Sequence, residues 1–246
     1  MKHEKHEEYS YKKCEAVLET YKIHTERKRV IVAFADTVGF ASWIKRTHSM
    51  EDFHFLAVRL YRKILHMRKQ FGYHVKFSGD GAMFVKELKP GHNCRSTILM
   101  LQHMDCLVQF MVESISRTHY PRPRSFRVRL AAGYVTKLHA SICKLECDFQ
   151  KDYIGYPVNL SSRMLDLASE NNPVMCHESV KDIIGDKRSS AANLIFERVN
   201  IPKADADGVD EEDLKSLWTW KFEKGETNAK PKRTIKQSKN IKDTLI

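Results

Sequence analysis

Apolar positions along this chain follow two alternating patterns, and the switches between them mark out its elements. Arg29 to Asp36 is β-branched and almost continuously apolar, as expected of a strand buried on both faces. It runs straight into Thr37-Val38-Gly39-Phe40, after which a short helix is predicted to about Lys45. From Glu51 to Gln70, Phe55, Leu56, Val58, Leu60, Ile64 and Leu65 recur at helical spacing, and Gly72 supplies the stop. Tyr73–Ser78 and Ala82–Lys86 read as a hairpin turned through Gly79-Asp80-Gly81, whose glycines provide the unusual backbone angles of a tight turn. Ser96 to Arg117 is a long amphipathic helix. Phe126–Val135 and Leu138–Leu145 read as two further strands, and Val158–Leu167 as a helix following Pro157. Val174–Cys176 and Leu214–Phe222 are predicted strands, with a short helix after Ser179. Ahead of these elements, a helix is expected from Tyr9 to His24.

The order of elements predicts an α+β domain of the ferredoxin-like βαββαβ type, with helices on one face of an antiparallel sheet. With 246 residues the chain has room for one sizeable core. Three segments are expected: an N-terminal helical extension over 1–27, a catalytic domain over 28–224 and a basic, disordered tail over 225–246. No apolar run reaches the ~18 residues of a membrane span. The richest stretch, Ile98 to Ile115, is broken by Gln102, His103, Asp105, Gln109 and Glu113. No apolar segment follows the charged N-terminus, so a cytoplasmic location is expected. Six cysteines without a CxxC pair read as free thiols.

The formal net charge of +11 invites a nucleic-acid reading, but part of it lies in the tail, where six basic residues face two acidic ones. A positive field also suits a polyphosphate substrate. A nucleic-acid partner is disfavoured because the aromatic-rich central strand of an RNA-binding sheet is missing. A P-loop is missing too, so any phosphate chemistry is of another kind.

Two aspartates carry the chemical signal. Asp36 ends a buried strand just before a helix, and Asp80 occupies the tip of the following hairpin. Neighbouring strands would bring both carboxylates to one sheet edge, a donor pair suited to Mg²⁺ arriving with nucleotide phosphates. The amides of Val38, Gly39 and Phe40 would lie at a helix start, where anions are stabilised. Either aspartate alone reads equally well as a turn residue; the pair does not. Further along, Asn159 and Arg163 are four residues apart and share a helix face. An amide and a guanidinium there suit a ribose and the charge growing on a phosphorus.

These residues resemble a known family. Val30 to Phe40 looks like the first strand and metal loop of class III adenylate and guanylate cyclases, and Lys76-Phe-Ser-Gly-Asp-Gly-Ala-Met83 resembles their hairpin. Arg127 to Gly133 resembles their R-x-G-x-x-x-G strand, and Asp152 to Arg163 their D-x-x-G-x-x-V-N-x-x-x-R segment. The resemblance implies conversion of a nucleoside triphosphate to a 3′,5′-cyclic monophosphate and pyrophosphate by two Mg²⁺ or Mn²⁺ ions per site. It assigns Asp36, Thr37 and Asp80 to the metals, and Val38, Gly39, Phe40 and Lys203 to the phosphates. Asn159 would orient the ribose and Arg163 stabilise the transition state, both supplied by the second subunit of a head-to-tail homodimer.

Lys76 and Asp152 fall where the family reads the base, and they match its ATP-using members. They recognise an exocyclic amine beside a ring acceptor, which cytosine also shows and uracil reverses. The extensions read as short and no sensory domain is expected, and the sequence departs from the usual pattern at Ala41, Ala131-Ala132 and Tyr156-Pro157. In this it resembles the bacterial pyrimidine cyclases of the Pycsar antiphage system, whose cyclic CMP or cyclic UMP acts on a separate effector. Bulk at Tyr153 or Tyr156 would shrink a purine pocket. Adenylate cyclase is the alternative within the family, and an inactive regulatory or nucleic-acid-binding module the alternative outside it.

Overall fold

A computed structural model describes residues 21–46, 49–142, 148–167, 172–185, 192–201 and 209–223. Its framework is a pair of long antiparallel strands, β1 (Tyr21–Val38) and β4 (Ser125–Ile142), in register from Tyr21↔Ile142 to Val38↔Ser125. Between them come α1 (Phe40–Arg46), α2 (Met50–Phe71), the hairpin β2 (His74–Phe77) and β3 (Ala82–Glu87), and α3 (Asn93–Ser116). After β4 follow β5 (Asp148–Ile154), α4 (Tyr156–Arg163), β6 (Val174–His177), α5 (Glu178–Ile184), β7 (Leu194–Arg198), α6 (Glu211–Leu214) and β8 (Leu217–Phe222). The strands form one sheet in the order β2-β3-β1-β4-β6-β8-β7, with β5 pairing β4 off this path. Its first four strands are the ferredoxin-like core that the pattern predicts.

The sheet's two faces are covered differently. Ile31, Ala33 and Ala35 of β1, with Phe126, Val128 and Leu130 of β4, face the main core built by α1, α2, α3 and α5. The alternate residues Val30 and Val32 join Met83, Val85, Val135 and Tyr153 on the opposite face. Leu160 of α4 and Met164 at its C-terminal cap pack there too, against Ala131 and Met175. Coverage on both sides explains why Val30–Ala33 reads as an unbroken apolar run. It also revises the one-sided arrangement, since α4 lies across the second face. The sheet is mixed, because β6 runs parallel to β4 from Val128↔Val174 to Leu130↔Cys176.

Three sequence readings are corrected. Residues 21–27, assigned to the helical extension, are strand and pair with β4; the rest of that extension, and the tail beyond Glu223, lie outside the described residues. The two strands predicted over 126–135 and 138–145 are one, because Thr136 and Lys137 continue the ladder, opposite Arg27 and Glu26 on one side and Ile154 and Tyr153 on the other. Leu214 closes a helix, and β8 starts three residues later.

By length and composition α3 would pass for a membrane span, with a mean hydropathy of 1.2 over its window. Its Met100, Leu101, Met104 and Leu107 are wholly buried against the sheet, as in a core helix. Cys94 and Cys176 are buried free thiols and Cys106 is an exposed one; the other three cysteines lie outside the described residues.

Candidate active site

The two aspartates meet at one end of the sheet. β1 pairs β3 up to Ala35↔Ala82, so Asp36 emerges beside the turn that carries Asp80. Gly81 permits that approach: a Cβ there would stand 2.2 Å from the Ala35 carbonyl oxygen. Of the two turn glycines, Gly79 supplies the left-handed angle (φ +77°), whereas Gly81 supplies clearance. Thr37 Oγ1 donates to the Asp80 carbonyl at 3.1 Å, tying turn to strand. Burial, reinforced by the Asp36 carboxylate alongside, raises the Asp80 pKa to about 6. Arg127, opposite Asp36 in the ladder, reaches its Oδ2 from Nη2 at 3.3 Å. Val38 closes β1, Gly39 turns the chain and Phe40 opens α1, where Phe40 packs on Trp43 and Phe53.

A second group assembles on the α4 side of the sheet. Lys76 Nζ donates to Asp152 Oδ2 at 2.6 Å, joining β2 to β5. Burial pushes the Asp152 carboxyl up, but hydrogen bonds from Lys76 and the Tyr153 amide outweigh it and hold the group below the usual range. Both residues line a cavity of about 360 Å³ together with Phe34, Tyr153, Val158 and Asn159. The helix α4 is seated by Pro157, Leu160 and Ser161, all buried, with Ser161 Oγ donating to the Pro157 carbonyl at 2.7 Å. Asn159 and Arg163 are left on its exposed face. A Cβ on Gly133 would sit 2.8 Å from Pro157 Cγ, so this glycine sets how closely α4 lies on β4. Tyr153 is buried, its hydroxyl donating to Glu87 Oε1 at 2.8 Å. Tyr156 is more than half exposed, bonded to Asp213 and away from the cavity.

The predicted residues therefore gather as two sets. Asp36, Thr37 and Asp80 form one; Lys76, Asp152 and Asn159 line the other cavity, with Arg163 one helical turn beyond. Lys203 lies outside the described residues. The sequence matches the family described as Adenylate and Guanylate cyclase catalytic domain over residues 23–201. The chain belongs to that family.

Solved cyclases share its fold. The adenylyl cyclase CyaB from P. aeruginosa superposes with a TM-score of 0.62 at 16% identity, covering 82% of this chain and 98% of that one. The guanylyl cyclase Cya2 gives 0.56 at 16% identity, covering 82% and 96%. The catalytic core of a rhodopsin-guanylyl cyclase with converted specificity, in complex with ATPαS, gives 0.52 at 18%, covering 80% and 97%. No curated protein sequence matches the chain.

Class III cyclases use divalent metal, and the acid pair of this cyclase fits one. Two carboxylates beside each other, one half-buried with its proton affinity raised, form a like-charge conflict that a hard cation relieves. Among the described residues no cluster of three or more His, Cys, Asp or Glu is present.

Two supporting features of the cyclase escape a reading by motif. Glu87 accepts from Tyr153 and from Lys137 Nζ at 2.6 Å, fixing the ring that walls the second cavity. Arg129 is wholly buried, on the strand position where the R-x-G pattern has glycine. Burial first, and Arg127 second, lower its pKa to about 9. The available signal was a second arginine, two residues after Arg127, within an otherwise apolar strand.

Proposed function

We propose that this cyclase converts a pyrimidine nucleoside triphosphate, CTP ahead of UTP, into its 3′,5′-cyclic monophosphate and pyrophosphate as a head-to-tail homodimer. The observation that carries the base assignment is the Lys76–Asp152 pair at 2.6 Å, sharing its cavity with the buried Tyr153 ring. Asp152 accepts from an exocyclic amine while Lys76 donates to the adjacent ring nitrogen, the order found on cytosine and reversed on uracil. Tyr153, held by Glu87, narrows the space beside that edge.

Catalysis on this reading is shared between subunits. Asn159 and Arg163, exposed on α4, face the partner's acid pair, where Asn159 holds the ribose and Arg163 takes up charge developing on the α-phosphorus. Asp36 and Asp80, with the Thr37 carbonyl, hold two Mg²⁺ or Mn²⁺, and the amides of Val38–Phe40 receive the leaving phosphates, aided by Lys203. When bound, the metals acidify the 3′-hydroxyl and neutralise the pyrophosphate. Resemblance to the Pycsar pyrimidine cyclases supports a role in bacterial antiviral defence, with the product made in the cytoplasm for a separate effector.

Incubating the purified chain with each of the four nucleoside triphosphates and Mg²⁺ or Mn²⁺ tests the proposal, and cyclic CMP is the expected main product. ATP is the second reading, because Lys76 and Asp152 are also the pair of ATP-using relatives. Cyclic AMP as sole product would establish it.

A further inference from the structure

We infer that Arg129 is a positioning residue for catalysis, holding the end of α4 so that Arg163 points out of the sheet at a fixed angle. Arg129 stands on β4 opposite Phe34 and Met175, on the face that α4 covers. Its Nε donates to the Met164 carbonyl at 3.1 Å, and Met164 directly follows Arg163 at the C-terminal cap of α4. Its Nη1 donates to the carbonyls of Val128 at 3.0 Å, Asn172 at 3.1 Å and Pro173 at 3.2 Å. These hydrogen bonds all end on main-chain oxygens, and Nη2 is buried without a hydrogen-bond partner among the described residues.

The Met164 carbonyl also accepts from the Leu167 amide at 3.4 Å, where α4 passes into a 3-10 turn, and a cation is favourable at such a helix C-terminus. A buried cation bound only to carbonyls is costly to keep, which argues that it serves something other than bulk stability. The forked guanidinium reaches both the end of α4 and the entry to β6, which a single ammonium would not do. Pro157 seats the start of α4, Ser161 is buried within it, and Arg129 ties its C-terminal cap. Arg127, two residues earlier on the same face, contacts Asp36, so neighbouring side chains of one strand reach both sets of site residues.

This rests on the assignment of Arg163 to the transition state, and the test separates the two. Arg129→Met and Arg129→Lys are made in the wild-type and Arg163→Ala backgrounds, and steady-state kinetics are measured on whichever triphosphate the wild type turns over. Arg129→Met is expected to lower kcat ~10–100-fold with KM changed less than about threefold, with Arg129→Lys intermediate. In the Arg163→Ala background the same change should cost less than about twofold. Equal losses in both backgrounds, or an unaltered kcat per folded molecule, would overturn the inference. Hydrogen exchange provides an arm independent of activity. Amides of Leu160–Met164 should exchange about tenfold faster in either variant while those of Val30–Ala33 are unchanged. Protection unchanged at α4 refutes the role of Arg129; altered protection in variants of a wild type that itself cyclises no triphosphate refutes the Arg163 assignment alone.

Discussion

Asp80 illustrates how function can strain a single residue. Its pKa of about 6 lies above that of an unfolded aspartate, so between about pH 4 and pH 6 the folded chain binds more protons. Metal-free stability should therefore fall as pH rises through that window. Asp80→Asn removes the conflict with Asp36. We expect it to raise the melting temperature of the metal-free protein at pH 7.5 by roughly 2–4 °C, about 1 kcal/mol once its half-exposed position is discounted. The same variant should lose nearly all cyclase activity. A calorimetric scan with chelator, beside an activity assay, checks both. Tyr153 carries the second prediction at this scale. Tyr153→Leu keeps an apolar wall but vacates ring volume, so kcat/KM for ATP relative to CTP should rise about tenfold, the scale of a few methylenes in a pocket. An unchanged ratio would remove Tyr153 from base selection.

At the scale of elements, the site depends on two close approaches. Gly133→Val would drive a branched side chain into Pro157, which lies 2.8 Å from where a Cβ would sit. The expected cost is ~1–3 kcal/mol of overpacking, read by denaturant unfolding, together with a fall in kcat as α4 lifts. Helices and inner strands were legible in the sequence because burial imposes a period: α2 shows its apolar stripe and its Gly72 stop, to which the structure adds a Ser49 cap accepting from the Asp52 amide. The aspartates were legible because each sits at an abrupt change of pattern. β5 was not, since Asp-Phe-Gln-Lys-Asp-Tyr-Ile has too many polar positions for a one-sided strand, and its pairing is fixed by β4. The outer part of β1 escaped for the same reason: Thr25, Glu26 and Arg27 are exposed, so solvent imposes no alternation. Arg129 was invisible as a structural residue because its partners are carbonyls, which every residue offers.

For the whole molecule, the informative fact is the division of the site residues into two sets on one protomer. In the proposed head-to-tail dimer, each set would meet the complementary set of the partner. Asp36→Ala and Arg163→Ala chains should each keep only a small residual activity alone. Mixed in equal amounts and allowed to exchange, half the dimers would be hybrids with one whole site, returning about one quarter of the wild-type rate. Failure to recover any activity from folded, exchanging chains would contradict the shared arrangement. That division also makes crowding a control variable. Lys76, Asp152 and Asn159 line a cavity that Asp36 and Asp80 do not, so on the proposed shared-site reading a solitary chain would be half a catalyst. Below the concentration at which chains pair, turnover would climb with the square of the amount present, so a modest rise in synthesis would switch a silent population on.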